Sequence, residues 1–551
     1  MPKRSMWLIG GALAIVASLV IGPSATAKTE GTSAGTVVII HDQEPGILNG
    51  YLASGNGYTV ALVMNPVLAS GLIYNNKVEL VPYLFEALPK LLVKEPLKVS
   101  FKYKANANWS DGKPVTGADF LATYKTIMNP NWDIVSRDGW VDIAKIQVKG
   151  KAVTVTFKKG RAYAAWDNLL GVTSPMPAHK VAGQDFNKLW SDSIDISSGP
   201  FKFQSWQRGT QLTIVKNPAF KAGASAKVDR IVVKYIAGAS QFQALKSGEG
   251  DVVEPQPQIQ IVDFQSDPKF KVQSGPGYQW EHIDFQQGEK AAPALKLKYV
   301  RQAIMQGINR AQIREVLYIK PGLVKKQDMP VLQSNIFKPF EPAYEKPYAR
   351  WKFSQRNVIA LLKKNGCTGG PDKPSAGNSN IFSCPNVGKL SFPFTTTSGN
   401  PTRALTFEII QKQLKSVGIE LTPRFISPAV LFGGGMLSSG DWQMVMFTFL
   451  SDPTGPATFF GIDGCGGDQN YDNSCNPKSS ALLKKAQFTA DATDRNKLLH
   501  AAEVIMAEDV YNIPVFSRPT YLLNNVRVKG PLKNPTQQGS TWNAEAWSVT
   551  S

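Results

Sequence analysis

The sequence predicts a mixed α/β protein with at least two lobes, and three observations support this prediction. The chain has 551 residues, whereas single hydrophobic cores stop growing at about 250–300 residues. Segments with strand-like alternation and segments with helical apolar spacing both occur, and they do not alternate strictly along the chain. The apolar fraction of 43%, with 10% aromatic residues, is typical of a well-packed globular protein.

The first segment, residues 1–27, is predicted to be a secretory signal peptide. Lys3 and Arg4 precede an uncharged, mostly apolar run at 7–21, and Ala25 and Ala27 form an A-x-A cleavage site. The run is short for a membrane span of about 20 residues, although retention as an uncleaved anchor remains an alternative. The first cysteine is Cys367, so we expect no lipid attachment through an N-terminal cysteine. We therefore expect export to a periplasm, or to the outside of the cell and its envelope.

Strands are predicted where apolar residues alternate, beginning after a polar Gly/Ser/Thr linker. The run at 444–450 is apolar but only seven residues long, so it predicts a buried strand rather than a membrane span. The other predicted strands are 36–40, 98–103, 153–157, 211–215 and 231–235.

Helices are predicted from capping signals and from apolar spacing. Thr116 and Asp119 form a capping box at the start of one helix. Asn400 and Pro401 predict the start of another, and Gly418 follows its end. Further helices are predicted over 298–317, 480–489 and 494–509.

The net charge of +19 does not predict a nucleic-acid-binding protein. Such a protein needs a clustered basic face with aromatic platforms, whereas Lys and Arg are spread along this whole chain. The charge instead favours solubility and attraction to an acidic cell envelope.

The four cysteines form two local pairs, and export predicts that they are oxidised. Four cysteines allow three disulfide connectivities. Adjacency favours Cys367 with Cys384 and Cys465 with Cys475. The CxxC spacing of zinc sites is absent, and we expect no metal and no cofactor.

Two short motifs resemble a catalytic or a metal-binding motif, but neither has the neighbouring residues or elements that such a motif requires. Residues 31–35 match G-x-S-x-G, but they precede the first strand instead of joining a strand to a helix. Residues 468–474 offer oxygens like the start of a calcium loop, yet Asn473 and Ser479 stand where that loop needs Gly and Glu. A disulfide-braced loop is the better interpretation. The sequence thus favours binding over catalysis.

Several segments, in order along the chain, carry a family resemblance. Residues 109–120 read WSDGKPVTGADF and are similar to a WSDGKPxTAxDF signature, departing at Gly117. Similar elements follow at 198–203, 216–220, 244–252, 300–310 and 409–419. Together they resemble the extracellular solute-binding proteins of family 5, the oligopeptide- and dipeptide-binding type.

This resemblance implies a two-lobed, type II periplasmic-binding ("Venus flytrap") fold with an extra subdomain in lobe I. The ligand lies between lobes that close by hinge rotation, and the closed form docks on an ABC permease. We expect a monomer. The implied domains are lobe I at 30–55, 190–280 and 513–551, the subdomain at 56–189, and lobe II at 281–512.

Candidate site residues follow from the charges of a peptide ligand. Arg403, in the first turn of the helix that Asn400 caps, is the candidate for the ligand carboxylate, with a surface arginine as the alternative. Asp452 is the candidate for the ligand ammonium, or else a residue that starts a turn. Phe449 stands where the family carries tryptophan.

Three more residues are candidate ligand contacts. Tyr278 and Trp280 lie near the expected crossover between the lobes, where they either line the cleft or pack inside a lobe. Glu44 belongs to a segment that resembles the family's EPxxLdP start.

The leading hypothesis is a non-enzymatic, exported binding protein that captures short peptides for an ABC importer. One alternative is the same scaffold with a nickel chelate, an oligosaccharide, an opine or a siderophore. The other is a secreted hydrolase, which needs a nucleophile or two carboxylates about 5–10 Å apart in one pocket.

Overall fold

The computed structural model describes residues 35–451, 453 and 458–550. The predicted signal peptide and Asp452 lie outside the described residues. In chain order, the strands are β1 (Thr36–His41), β2 (Leu72–Tyr74), β3 (Leu80–Pro82), β4 (Lys90–Lys94), β5 (Leu97–Lys102), β6 (Ile143–Lys149), β7 (Ala152–Phe157), β8 (Phe201–Gln207), β9 (Gln211–Lys216), β10 (Arg230–Tyr235), β11 (Val252–Val253), β12 (Phe270–Gly275), β13 (Gln279–Phe285), β14 (Ser383–Cys384), β15 (Gly388–Lys389), β16 (Ser391–Thr397), β17 (Glu420–Ile426), β18 (Met444–Leu450), β19 (Asn512–Ser517), β20 (Thr520–Asn525), β21 (Val528–Lys529) and β22 (Ser548–Val549).

Helices cover the sheets and fill the connections between strands. In chain order, they are α1 (Tyr58–Met64), α2 (Gly117–Met128), α3 (Trp166–Gly171), α4 (Ala178–Val181), α5 (Ser240–Lys246), α6 (Val262–Gln265), α7 (Pro293–Lys296), α8 (Lys298–Gly307), α9 (Arg310–Arg314), α10 (Gln355–Lys364), α11 (Pro401–Lys415), α12 (Phe459–Asp463), α13 (Pro477–Gln487) and α14 (Ala492–Asp509).

Lobe I is built around a sheet with the strand order β12-β20-β11-β1-β10-β9-β8. Its central strand β1 pairs in parallel with both β10 and β11. The sequence of β1 is TVVIIH, and all six residues are buried. Such an unbroken apolar run is typical of a strand that is covered on both faces.

Lobe II is built around a second sheet with the order β17-β16-β18-β13-β19. β16 runs parallel to β17 and β18, whereas β13 runs antiparallel to β18 and β19. The strand predicted at 444–450 is β18, with Met444–Leu450 as its bounds, and its first four residues are buried, as its apolar sequence predicts.

The subdomain is built on the antiparallel order β4-β5-β7-β6. In β7, AVTVTF alternates half-buried and buried residues, so the valines and Phe157 face the core. Trp109 of the WSDG segment is fully buried, Gly112 has a φ of +86°, and Lys113 N–H donates to Asp111. This segment is therefore a packed turn.

The capping signals place two of the predicted helices. Thr116 and Asp119 form the predicted capping box at the start of α2. Asn400 Oδ1 accepts the Arg403 N–H at 3.0 Å at the start of α11, and Gly418 adopts a φ of +84° after its end. The single helix predicted over 298–317 is wrong. It breaks at Ile308, which is extended, and Asn309 caps the separate helix α9.

The chain crosses between the two large sheets at two adjacent segments. One crossing joins β12 to β13, and the other joins β19 to β20. The Arg518 N–H donates to Gln279 O at 2.8 Å and ties the second crossing to the first. The predicted boundary at 512/513 falls at the start of β19, which pairs within the lobe II sheet, so the second crossing follows at 518–519. The domain boundaries stay a prediction.

Two disulfides join the cysteines in the predicted pairs. Cys367 bonds to Cys384, and Cys465 bonds to Cys475, with sequence separations of 17 and 10. Among the helices of the described residues, none has both the length and the apolar character to cross a bilayer.

Candidate functional site

The candidate site is a cleft between the two large sheets. Its volume is about 1200 Å³, including space that is open to solvent. The lobe I side is formed by the end of β1, the segment after β11 and the start of β20, and the lobe II side by β13, β18 and α11. The charged residues that line the cleft are His41, Asp42, Glu44, Glu254, Arg403 and Arg518.

A hydrogen-bonded group of charged residues lies at the base of the cleft. We call Glu281, Arg403, Thr448 and Arg518 the floor cluster. Arg403 Nε donates to Glu281 Oε1 at 2.6 Å, and Arg403 Nη2 donates to Thr448 Oγ1 at 2.9 Å. Arg403 Nη1 donates to Thr397 Oγ1 at 2.7 Å. All three guanidinium nitrogens of Arg403 therefore already have protein acceptors.

The carboxylate of Glu281 is held in its charged form. Burial raises the pKa of Glu281, but Arg403, Arg518 and their hydrogen-bonding neighbours lower it by more, so the pKa lies below its ordinary value. Glu281 and Arg403 are 3% and 5% exposed. A buried carboxylate at this position depends on its guanidinium partner.

Arg518 is bonded less completely than Arg403. Its Nη1 donates to Thr448 Oγ1 at 3.1 Å, and its side chain lines the cleft. Burial lowers the pKa of Arg518, Glu281 raises it and Arg403 lowers it, with a net lowering. Within the described residues of the floor cluster, two guanidinium groups share one carboxylate, which leaves one positive charge in excess.

Acidic residues line the lobe I side of the same cleft. We call Asp42, Glu44 and Glu254 the acidic wall. Glu44 Oε1 accepts from Trp206 Nε1 at 2.8 Å, and Asp42 Oδ2 accepts from Gln256 Nε2 at 2.8 Å. Burial raises the pKa of Glu254, which is the effect expected of a carboxyl group short of positive partners.

Direct contacts join lobe I and its subdomain to lobe II, as expected of closed lobes. The Arg137 N–H, in the subdomain, donates to Asp468 Oδ2 at 3.2 Å in lobe II. The Ala164 N–H donates to Gln487 O at 2.8 Å. A Cβ built on Gly46 would lie 3.6 Å from the Gly433 Cα, so backbone meets backbone at this edge.

Comparison with known proteins assigns this chain to a protein family. The model for bacterial extracellular solute-binding proteins, family 5 Middle, matches residues 79–471. The chain belongs to the family 5 bacterial extracellular solute-binding proteins. Its predicted two-lobed fold class is confirmed.

Relatives of this solute-binding protein are distant. A Brucella ovis protein, provisionally named an ABC transporter peptide-binding protein, is 29% identical over 317 residues, which cover 56% of this chain and 58% of the relative. The chain thus matches less than two thirds of the length of that relative. The oligopeptide-binding protein AppA of Bacillus subtilis is 23% identical over 75% of this chain and 74% of its own length.

Solved structures share the fold of this solute-binding protein. AppA in complex with a nonapeptide superposes with a TM-score of 0.81 at 19% identity, over 94% of this chain and 99% of AppA. NikZ from Campylobacter jejuni, in complex with Ni(L-His), gives a TM-score of 0.80 at 19% identity, over 94% and 99% of the two chains. At these identities the likeness shows the fold alone.

The predicted site residues divide into three groups. Arg403 and Glu44 line the cleft, and both already have hydrogen-bonding partners. Asp452 lies outside the described residues. Tyr278, Trp280 and Phe449 are not among the described residues that line the cleft.

The side-chain alternation of two strands explains why the aromatic residues point away from the cleft. Gln279 of β13 is paired with Leu450 of β18, and both line the cleft. Trp280 is paired with Phe449, so these rings project from the opposite face of the sheet. Trp280 is fully buried, in a core cluster with residues of α13 and α14. Tyr278 is 7% exposed, and its ring packs edge-on against Phe340.

Of the charged residues in the floor cluster and the acidic wall, sequence reasoning missed Asp42, Glu254, Glu281 and Arg518. A signal for Glu281 was present, because a carboxylate within the strand QWEHIDF needs a buried partner. Arg518 followed the apolar strand NIPVFS directly, where a crossing segment can expose a charge. No local pattern marked Asp42 or Glu254.

Proposed function

We propose that this protein is the exported solute-binding component of an ABC importer and captures short peptides between its lobes. The observation that carries the proposal is the charge of the cleft. An excess guanidinium lies on the floor cluster, and three carboxylates lie on the acidic wall. A short peptide carries the complementary charges, a carboxylate at one end and an ammonium at the other.

The acceptance of peptides of varied sequence fits the rest of the lining. Gln43, Gln256 and Gln279 supply amide groups, and Leu450 and Phe432 supply apolar surface. These residues can pair with a peptide backbone and cover its side chains without demanding one sequence. AppA, the relative with the same fold, was solved with a nonapeptide, which supports the same ligand class here.

A metal chelate of an amino acid is the second candidate, because it also carries carboxylate and ammonium groups. NikZ, a structural neighbour, was solved with Ni(L-His). No group of three or more His, Cys, Asp or Glu side chains in the described ranges is placed to hold a metal ion. A chelate would therefore have to arrive with its own ligands.

We propose further that the protein is not an enzyme, acts as a monomer and delivers its ligand intact to a membrane permease. The cleft histidine supports the non-enzymatic part of this proposal, because the Nδ1 of His41 lies against the backbone of Gln43 and 3.6 Å from Asp42 Oδ1 rather than beside a serine or cysteine. A bound peptide should be recovered uncleaved after prolonged incubation, as judged by mass spectrometry.

The test of function compares peptides with free and blocked ends. Protein produced without residues 1–27 is unfolded and refolded to remove bound solutes. It is then mixed with a random tripeptide library as free peptides, as N-acetyl peptides, as C-terminal amides or as peptides blocked at both ends, and retained peptides are quantified by mass spectrometry. We expect free peptides to be retained roughly tenfold or more over either blocked form, because each block removes a charge-assisted hydrogen bond.

Two outcomes would contradict the proposal. One is equal retention of free peptides and peptides blocked at both ends. The other is native protein that co-purifies with a sugar or a metal chelate and retains no peptide.

A further inference from the structure

We infer that Arg518 is the receptor for the ligand carboxylate and fixes the polarity of the bound peptide. This inference rests on the proposed function and deepens it. Arg518 lines the cleft and belongs to the segment that crosses between β19 and β20. Family membership and the sequence pattern do not assign it a role.

The first argument is that the two cleft arginines differ in how many of their donors have protein acceptors. Arg403 directs Nε, Nη1 and Nη2 to Glu281, Thr397 and Thr448. In the described part of the chain, the side chain of Arg518 has a single hydrogen bond, from Nη1 to Thr448 Oγ1. A guanidinium presents five donors in a planar fork that matches a carboxylate. Arg518 therefore retains donors for a ligand, whereas Arg403 does not.

The second argument is charge. Glu281 neutralises one of the two guanidinium groups of the floor cluster, and its closer partner is Arg403, at 2.6 Å. Asp42 of lobe I accepts a hydrogen bond from Gln256 and acts on Arg518 through space. One positive charge of the buried floor thus lacks a bonded anion among the described residues. A ligand carboxylate would supply that missing anion.

The third argument is position. Arg518 lies on the second crossing between the sheets, and its N–H is hydrogen-bonded to Gln279 O, which follows the first crossing. Hinge segments absorb the change in φ and ψ when lobes rotate, and a residue close to the rotation axis is displaced less than the rest of either lobe. Arg518 therefore stays at the base of the cleft in the open protein, where it can engage the carboxylate before closure. The peptide then lies with its carboxylate on the floor cluster and its ammonium toward the acidic wall.

The experiment measures how a C-terminal amide changes binding in Arg518→Gln and in a matched control. The control is Arg424→Gln, which removes the same charge from a partly exposed pair with Asp441 in lobe II, away from the cleft. Each protein is refolded and titrated with the random tripeptide library as free acids and as C-terminal amides. We expect wild type and Arg424→Gln to prefer acids roughly 10- to 100-fold. Arg518→Gln should lower this preference to within about twofold.

A second variant guards against misfolding. Arg518→Lys keeps the charge but not the fork, so we expect an intermediate acid preference. The inference is overturned if folded Arg518→Gln, checked by circular dichroism, keeps the wild-type acid preference. If wild type binds peptides without any acid preference, this inference fails while peptide capture stands. If wild type binds no peptide, the proposed function fails, and the inference fails with it.

Discussion

At the scale of single residues, the floor cluster contains one buried carboxylate and two arginines. The arginine that pairs with this carboxylate has a structural role, and the other remains available to a ligand. Glu281 and Arg403 are both nearly inaccessible to solvent, and Glu281 also accepts from Thr448 Oγ1 at 2.5 Å. A buried pair of this kind contributes most visibly when one partner is removed, because the other is then left charged and uncompensated. Arg403 is thus the structural arginine of the cleft.

The substitution Glu281→Gln is expected to lower the free energy of unfolding by about 3–5 kcal/mol, because it leaves Arg403 buried without a counter-charge. Glu249→Gln is the matched control. It breaks an exposed pair with Lys234, 3.3 Å apart, and should cost at most about 1 kcal/mol. Chemical denaturation of both variants at pH 7 checks the difference. Equal losses would show that the Glu281 pair is no stronger than a surface pair.

At the scale of elements, a buried glutamate anchors α14 to the turn at 334–337. Glu503 is fully buried, accepts the Ile336 N–H at 3.1 Å and the Ser334 hydroxyl at 2.8 Å, and lies in the middle of α14. Burial raises the pKa of Glu503 to about 7. The turn and the helix are therefore joined by a carboxyl group that burial keeps protonated up to near-neutral pH.

The titration of Glu503 should be visible in how the free energy of unfolding changes with pH. The unfolded carboxyl loses its proton near 4.5, whereas the folded one keeps it to about 7. Because the folded state then binds more protons than the unfolded state, the free energy of unfolding falls as pH rises between these two values. Glu503→Gln should remove this part of the slope. Denaturation of both proteins from pH 4.5 to 8 tests it, and parallel curves would contradict the assignment.

At the scale of the whole molecule, we expect closure to depend also on contacts outside the cleft lining. The subdomain meets the disulfide-braced loop at 465–475 through the hydrogen bond from Arg137 N–H to Asp468. This contact lies outside the cleft lining. It stabilises the closed form without touching the ligand, so it adds to apparent affinity by shifting the balance between open and closed lobes.

Asp468→Ala is expected to weaken peptide binding by roughly 2- to 12-fold, the value of one hydrogen bond of about 0.5–1.5 kcal/mol. Asp468→Asn keeps an acceptor oxygen and should restore most of the affinity. Calorimetric titration measures both affinities, and small-angle X-ray scattering measures closure by the fall in radius of gyration on adding peptide. Unchanged affinity in Asp468→Ala would show that this contact does not contribute to closure.

The sequence by itself determined most of the local elements, the cysteine pairs and the family, but not the break at Ile308 in the helix predicted over 298–317. The capping residues Thr116 and Asn400 mark helix starts because their side chains bond within the next turn, which needs no tertiary information. The cysteines pair over separations of 17 and 10 residues. Such signals are short-range, so they can be read along the chain.

Only the tertiary structure decided which residues face the cleft. Phe449 lies in the predicted strand β18 and Trp280 in its neighbour β13, but a strand turns successive side chains to opposite faces, so the cleft received Gln279, Thr448 and Leu450 instead. Arg403 and Arg518 are 115 residues apart in number, yet Thr448 accepts from both. Which arginine is left for a ligand depends on which one Glu281 holds, and no local pattern in the sequence records that choice.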